Sequence, residues 1–201
     1  MTVTRIGLEA GSKWVFASAV DWPGWCRRGK GEDAAVTALM DYAARYRRVA
    51  GRGFRVGAPE VIGRVAGNAT TDFGAPGVPG PWDDEPLDAR ERSRLVGLLR
   101  SSWAAFDAAV AAAPAALPKG PRGGGRDRDD IVEHVREAER SDARKVGARV
   151  PPRTPRDEQR AAITATLLEG GAGTAWPPRY FIRRTAWHVL DHAWELEDKS
   201  R

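Results

Sequence analysis

Six of the thirteen residues in "FGAPGVPGPWDDE", positions 73–85, are Gly or Pro. Each proline removes a backbone donor and fixes φ, so neither a long helix nor a central strand can run through this stretch. The hydrophobic period differs on its two sides. Before it, apolar residues come in short β-rich runs. After it, they recur at helical spacing. An α+β chain follows: a small β-β-α-β unit over residues 1–72, a Gly/Pro-rich connection over 73–85, and a four-helix bundle over 86–201. Trp82 gives the connection apolar surface of its own to bury.

In the first unit, "TVTRIGLEA" and "KWVFASAV" read as strands joined by a Gly-Ser-Lys turn, and "DWPGWCRRGKG" reads as a loop. "EDAAVTALMDYAARYRRVA" places Ala35, Leu39, Tyr42, Ala43 and Tyr46 at helical spacing. Acids at its start and Arg47 and Arg48 at its end suit the helix dipole. "FRVGAPEVIGRVAGN" supplies one or two further strands. In the second half, the segment after Leu87 predicts a helix of about 25 residues ending before Pro114. A second helix begins in "DRDDIVEHV" and stops at Gly147. A third has Thr154 as N-cap, Pro155 at its first position and Gly170 after its last turn. "RYFIRRTAWHVLDHAWELED" is the fourth.

The chain has only three histidines, and all lie in the second half. His188 and His192 are four apart and therefore project from one helical face a turn apart. His134 sits on the second helix, beside the core-facing Ile131 and Val135. Two imidazoles on one helix and a third from a facing helix form an open three-ligand metal site, whereas a closed structural zinc site needs four protein ligands. On the other side, a His pair on a helix is commonly an ordinary partly buried pair.

Metal-bound imidazoles usually give their second N–H to a carboxylate or carbonyl. Asp130, Glu133, Glu137, Asp191 and Glu195 are near enough in sequence to be that partner. At ~100° per residue, Glu195 and Arg184 fall on the His188 side of the last helix. Arg184 could hold an anionic group or form a surface ion pair. Trp187 and Trp194 form a separate stripe, suited to packing against the other unit or a neighbouring chain. Cys26, beside Arg27 and Arg28, reads as a small buried side chain rather than a nucleophile, and one cysteine forms no internal disulfide.

The net charge of +5 raises the question of nucleic acid, but residues 1–85 carry +1 and residues 86–201 carry +4, with acids and bases mixed along the helices. The basic stretch "KGPRGGGRDR" lacks the strand, helix and Lys-Ser/Thr ending of a phosphate loop. Nucleic acid is therefore not the expected partner. No uninterrupted apolar run reaches the ~20 residues of a membrane span, and the start lacks a secretory pattern, so a cytoplasmic protein is expected.

The pattern His134 … His188-xxx-His192 on the second and fourth of four helices resembles the DinB/YfiT-like superfamily. "RDRDDIVEHVREAERSDARKVG" looks like its second helix and "RRTAWHVLDHAWELED" like its last. That resemblance covers about residues 86–201. It implies a divalent ion, zinc or nickel, held by the three histidines. It further implies a small-molecule ligand, such as a low-molecular-weight thiol of the mycothiol or bacillithiol type. The activity implied is thiol transfer, isomerisation or hydrolysis, though some members are non-catalytic. Since metal-bound histidines cannot also serve as bases, Glu195, Asp191 and Glu137 are the candidates for proton transfer, and Arg184 for substrate binding. "DWPGWCRRGKGEDAAVTALMDYAARY" is similar to HicB-like units over about 40 residues, which implies a docking role rather than DNA binding. A homodimer is left open.

Overall fold

The computed structural model describes residues 2–119, 124–171 and 175–201. Its first part is a four-stranded mixed sheet: β1 (Val3–Ala10), β2 (Val15–Ala19), β3 (Cys26–Gly29) and β4 (Ala58–Ala66), in the order β3-β2-β1-β4. β1 pairs antiparallel with β2, and β2 with β3, while β4 returns parallel to β1. The return crosses over through α1 (Glu32–Asp41) and α2 (Ala43–Ala50). A register shift in the β1–β4 pair sets Ile6 against Val61 and Gly7 against Gly63, so Ile62 forms a bulge on the edge strand. A short helix α3 (Ala69–Phe73) follows, capped by Asn68.

The expected α+β class holds, with two local corrections in this unit. The segment read as a loop contains β3, because after the turn at Pro23 and Gly24 the chain re-enters the sheet with Ser18 opposite Cys26. Four residues with two arginines carry too little apolar alternation to announce a strand. They form one because both arginines have aromatic rings to lie on: Arg27 over Tyr42 at 3.9 Å and Arg28 over Trp14 at 4.6 Å. The single expected helix over 32–50 is two helices meeting at Tyr42. The Trp25 indole donates to the Leu39 carbonyl at 2.7 Å, and a continuous helix would offer that carbonyl to the Ala43 N–H.

The second part is four long helices: α4 (Ala89–Ala112), α5 (Arg128–Ala143), α6 (Arg156–Glu169) and α7 (Pro178–Lys199). α4 and α5 each pack against both α6 and α7, which closes a four-helix bundle around Leu95, Leu99, Phe106, Ile131, Ile163, Leu167, Phe181 and Val189. Burying a Leu, Ile or Phe side chain contributes roughly 1.5–3 kcal/mol. α4 is long and apolar enough by composition to cross a membrane, yet Leu95, Leu99 and Phe106 turn inward to this core. The cap of α6 differs from expectation. Pro155 is the N-cap, and the Thr154 hydroxyl instead donates to the Pro151 carbonyl at 2.9 Å. α5 closes through a 3-10 turn (Arg144–Val146) and Gly147 at φ 88°, a backbone that favours glycine.

α7 belongs to both parts. Its Leu190 and Trp194 lie in the sheet-side core with Trp25, Leu39, Tyr46 and Phe54, while Phe181, Ile182 and Val189 face the bundle. Trp187 meets Phe16 edge-on at 5.8 Å. The connection is held as well. Trp82 lies so close against Gly7 and Gly80 that a Cβ on either would run into its ring. Buried Asp83 takes two bonds from Arg183 of α7, at 2.7 and 3.1 Å, and Arg183 also donates to Ser18 of β2. The two periods of the sequence thus share one helix and one buried ion pair.

Candidate metal centre

α5 and α7 lie side by side, and their facing sides bring the three histidines together. On α5, His134 stands between Ile131 and Val135, both buried, so the apolar stripe that seats the helix also aims the imidazole at α7. The start of α5 is fixed by a reciprocal cap between Asp127 and Asp130. On α7, His188 and His192 are one turn apart, with Val189 and Ala193 beside them in the core. The ring centroids are 5.1, 5.0 and 4.8 Å apart for His134–His188, His134–His192 and His188–His192. One nitrogen from each ring lies within 4.8 Å of the others.

The closest pair is His134 Nε2 and His188 Nε2, 3.2 Å apart. Two nitrogens each ~2.0–2.1 Å from one tetrahedral zinc stand roughly 3.3 Å apart, so this spacing suits a shared ion. It also suits a hydrogen bond between neutral imidazoles. Burial, with the charge of His192 next, lowers the pKa of His134 and takes that of His188 well below its usual value. Arg126 acts in the same direction on both, and Arg184 on His188. Neutral imidazoles with free lone pairs are what a divalent ion requires.

His192 is held differently. Its Nδ1 lies 2.8 Å from Glu195 Oε2, and Lys199 Nζ donates to Glu195 Oε1 at 2.6 Å. The bond to His192 is the largest cause of a Glu195 carboxyl pulled down to about 2, with Lys199 contributing in the same sense. With Nδ1 engaged, Nε2 of His192 is the nitrogen left for the centre. Its side chain retains 12% exposure, so the cluster sits at the border of the bundle core and solvent.

The other carboxylates considered from the sequence are occupied elsewhere. Asp130 takes part in the α5 cap, and Glu133 pairs with Arg136 at 2.7 Å. Glu137 binds Arg136 and Arg140 at 2.6 and 2.7 Å. Asp191 pairs with Arg27 of β3 at 3.0 Å and so faces the sheet. Arg184 lies 5.4 Å from the centre of the Trp187 ring and has no carboxylate partner among the described residues. Arg126 and Lys199 were not singled out from the sequence. Lys199 was findable, because a Glu followed four residues later by Lys is a helical ion-pair signal. Arg126 was not, since it lies in a glycine-rich connection with no period; residues 120–123 of that connection lie outside the described residues.

Cys26 is a fully buried thiol, pushed up to about 11 chiefly by desolvation, and bonded by Ser18 at 3.1 Å. Such a thiol is a poor nucleophile. No family model, curated protein or solved structure matches this chain, so what the geometry offers is a three-histidine cluster with one engaged carboxylate behind it.

Proposed function

We propose that this is a divalent-metal-binding protein whose open three-histidine centre serves a metal-dependent reaction of a small thiol, a transfer or an isomerisation, as its resemblance to the DinB/YfiT-like superfamily implies. The observation that carries the reading is the convergence of His134, His188 and His192 from two helices, with ring nitrogens within 4.8 Å and a carboxylate behind one of them. The resemblance implies zinc or nickel, two of the ions that imidazole ligands suit. When bound, such an ion supplies Lewis acidity and lowers the pKa of a thiol or water beside it.

The chain's own residues then have separate tasks. Burial favours the neutral forms of His134 and His188, and the three histidines hold the ion. Arg184 is permanently charged and has no carboxylate partner among the described residues, so it suits the anionic part of a small cosubstrate such as a mycothiol- or bacillithiol-type thiol. Of the three proton-transfer candidates, Glu195 is a weak base with both oxygens engaged, Asp191 is tied to Arg27, and Glu137 is tied to two arginines. That occupancy favours a second reading, in which the centre binds metal or ligand without catalysis and the HicB-like unit docks a partner. The exposed edge strand β4 would offer the docking surface. A reducing, cytoplasmic setting fits either reading, since Cys26 is a free thiol.

The test uses the full chain, stripped with a chelator and reloaded with zinc or nickel, against a panel of small thiols paired with electrophiles. The first reading expects thiol consumption that requires the metal. It also expects Arg184→Ala to keep its metal while thiol affinity, followed by calorimetry, falls about 10- to 150-fold, the loss of one charge-assisted contact. Metal binding with no turnover by either metal would select the second reading.

A further inference from the structure

Glu195 is the only carboxylate hydrogen-bonded to any of the three histidines among the described residues, and both of its oxygens are used. Oε2 faces His192 Nδ1 at 2.8 Å, and Oε1 receives Lys199 Nζ at 2.6 Å. The three residues occupy successive turns of α7 at positions 192, 195 and 199, so the helix itself sets their spacing. Lys199 ends the helix, where a cation is also favoured by the helix dipole.

We propose that Glu195, anchored by Lys199, is a positioning residue that fixes the tautomer and ring orientation of His192, turning its Nε2 lone pair toward His134 and His188. The inference rests on the metal-binding reading above and assigns Glu195 a role different from that of a base. A carboxylate oxygen at Nδ1 acts as acceptor, so in the neutral ring the proton resides on Nδ1 and Nε2 carries the lone pair. The same contact raises the basicity of the ring as a ligand. Lys199 does two things. It fixes the carboxylate's orientation by donating to Oε1, and by holding that oxygen it restrains the carboxylate from swinging round to become a fourth ligand. A fourth protein ligand would close the centre; three leave room for a small molecule.

Among the described residues, His134 and His188 have no carboxylate partner of this kind. Their rings meet through Nε2 atoms 3.2 Å apart, and the buried residues around them, Ile131 and Val135 on α5 and Val189 on α7, are apolar. Packing therefore orients two of the ligands, while a charged pair orients the third, which lies nearest the helix end. Side-chain exposures of 32% for Glu195 and 27% for Lys199 put the pair at the rim.

Two measurements on the full-length protein test this. Nitrogen-15 NMR of the metal-free wild type, at a pH where the ring is neutral, should find His192 with its proton on Nδ1, and Glu195→Ala should remove that preference. Cobalt(II) titration, read from the visible spectrum, should give affinity about 10- to 100-fold weaker in Glu195→Ala. Glu195→Gln, which keeps an acceptor oxygen, should recover part of the loss. Lys199→Met should cost up to about 5-fold, the scale of a partly exposed ion pair. A wild-type His192 protonated on Nε2, or a Glu195→Ala variant that binds cobalt as tightly as wild type, overturns the inference alone. A wild type that takes up no cobalt overturns the metal reading and this inference with it.

Discussion

α5 carries two polar side chains into the bundle, five residues apart, and they end in opposite situations. Glu139 is 1% exposed and enclosed on every side. Trp103 of α4 donates to it at 2.6 Å, Gln159 of α6 at 3.4 Å, and Arg160 stands 3.8 Å away while also binding Asp107 at 2.9 Å. His134, about one and a half turns earlier, meets two more imidazoles at the rim, where three ring nitrogens converge without an opposite charge among them. The Glu139 cluster joins α4, α5 and α6 with charges that answer each other. The histidine cluster joins α5 and α7 with like groups close enough to share one ion. Polarity inside a bundle does not mark a functional site by itself; the convergence of three ligand nitrogens is what makes this cluster the candidate.

The largest effect expected from this contrast is on stability. Glu139→Ala leaves the buried Trp103 indole without its acceptor and Arg160 with Asp107 as its remaining carboxylate, which should cost about 2–3 kcal/mol. His188→Ala in the metal-free protein should cost about 1 kcal/mol, the ordinary scale for a partly buried side chain with no unique partner. Urea denaturation of both variants in the presence of a chelator measures the difference. Equal losses would break the comparison, because the histidines would then be as structural as Glu139.

A smaller effect separates the clusters by pH. Burial is the leading cause in both, but it acts with opposite sign: it raises the Glu139 carboxyl from 4.5 and lowers His134 and His188 from 6.5. The native state therefore binds the Glu139 proton more tightly than the unfolded chain. That contribution is complete below 4.5 and is lost as pH rises through the raised native value. For the histidines the native state binds protons less tightly. Their contribution is complete above 6.5 and is lost as pH falls through the lowered native values. Melting temperatures of metal-free protein between pH 4 and 8 should show both. Glu139→Gln should remove the loss on the alkaline side, and His134→Ala with His188→Ala should remove the loss on the acid side. Unchanged slopes in either variant would separate that cluster from the trend assigned to it.

The helices were legible because their signals are local: Asp127 opens α5, Gly147 and Gly170 close α5 and α6, and apolar residues recur at one period between them. The histidine cluster was legible for the same reason. Four residues on one helix set two rings together, and a third ring on a stripe facing the core had few other places to go. What escaped depends on distant partners. β3 is a strand because Trp14 and Tyr42 receive its arginines, and the break at Tyr42 follows from an indole seventeen residues earlier taking a helix carbonyl. Asp191, Glu133 and Glu137 were as near in sequence to the histidines as Glu195. Glu133 and Glu137 are held within α5 by Arg136 and Arg140, three residues on, a local pairing the spacing already offered, whereas only the tertiary fold shows that Arg27 of β3 takes Asp191.

The account turns on whether the three imidazoles hold an ion together. The most direct measurement is the metal content of the full chain, purified without an affinity tag and equilibrated with zinc by dialysis, beside the His134→Ala/His188→Ala double variant. Elemental analysis should find about one divalent ion per wild-type chain, as three ligands around one centre require, and less than about a tenth of that in the double variant. Equal metal content in the two proteins would contradict the claim.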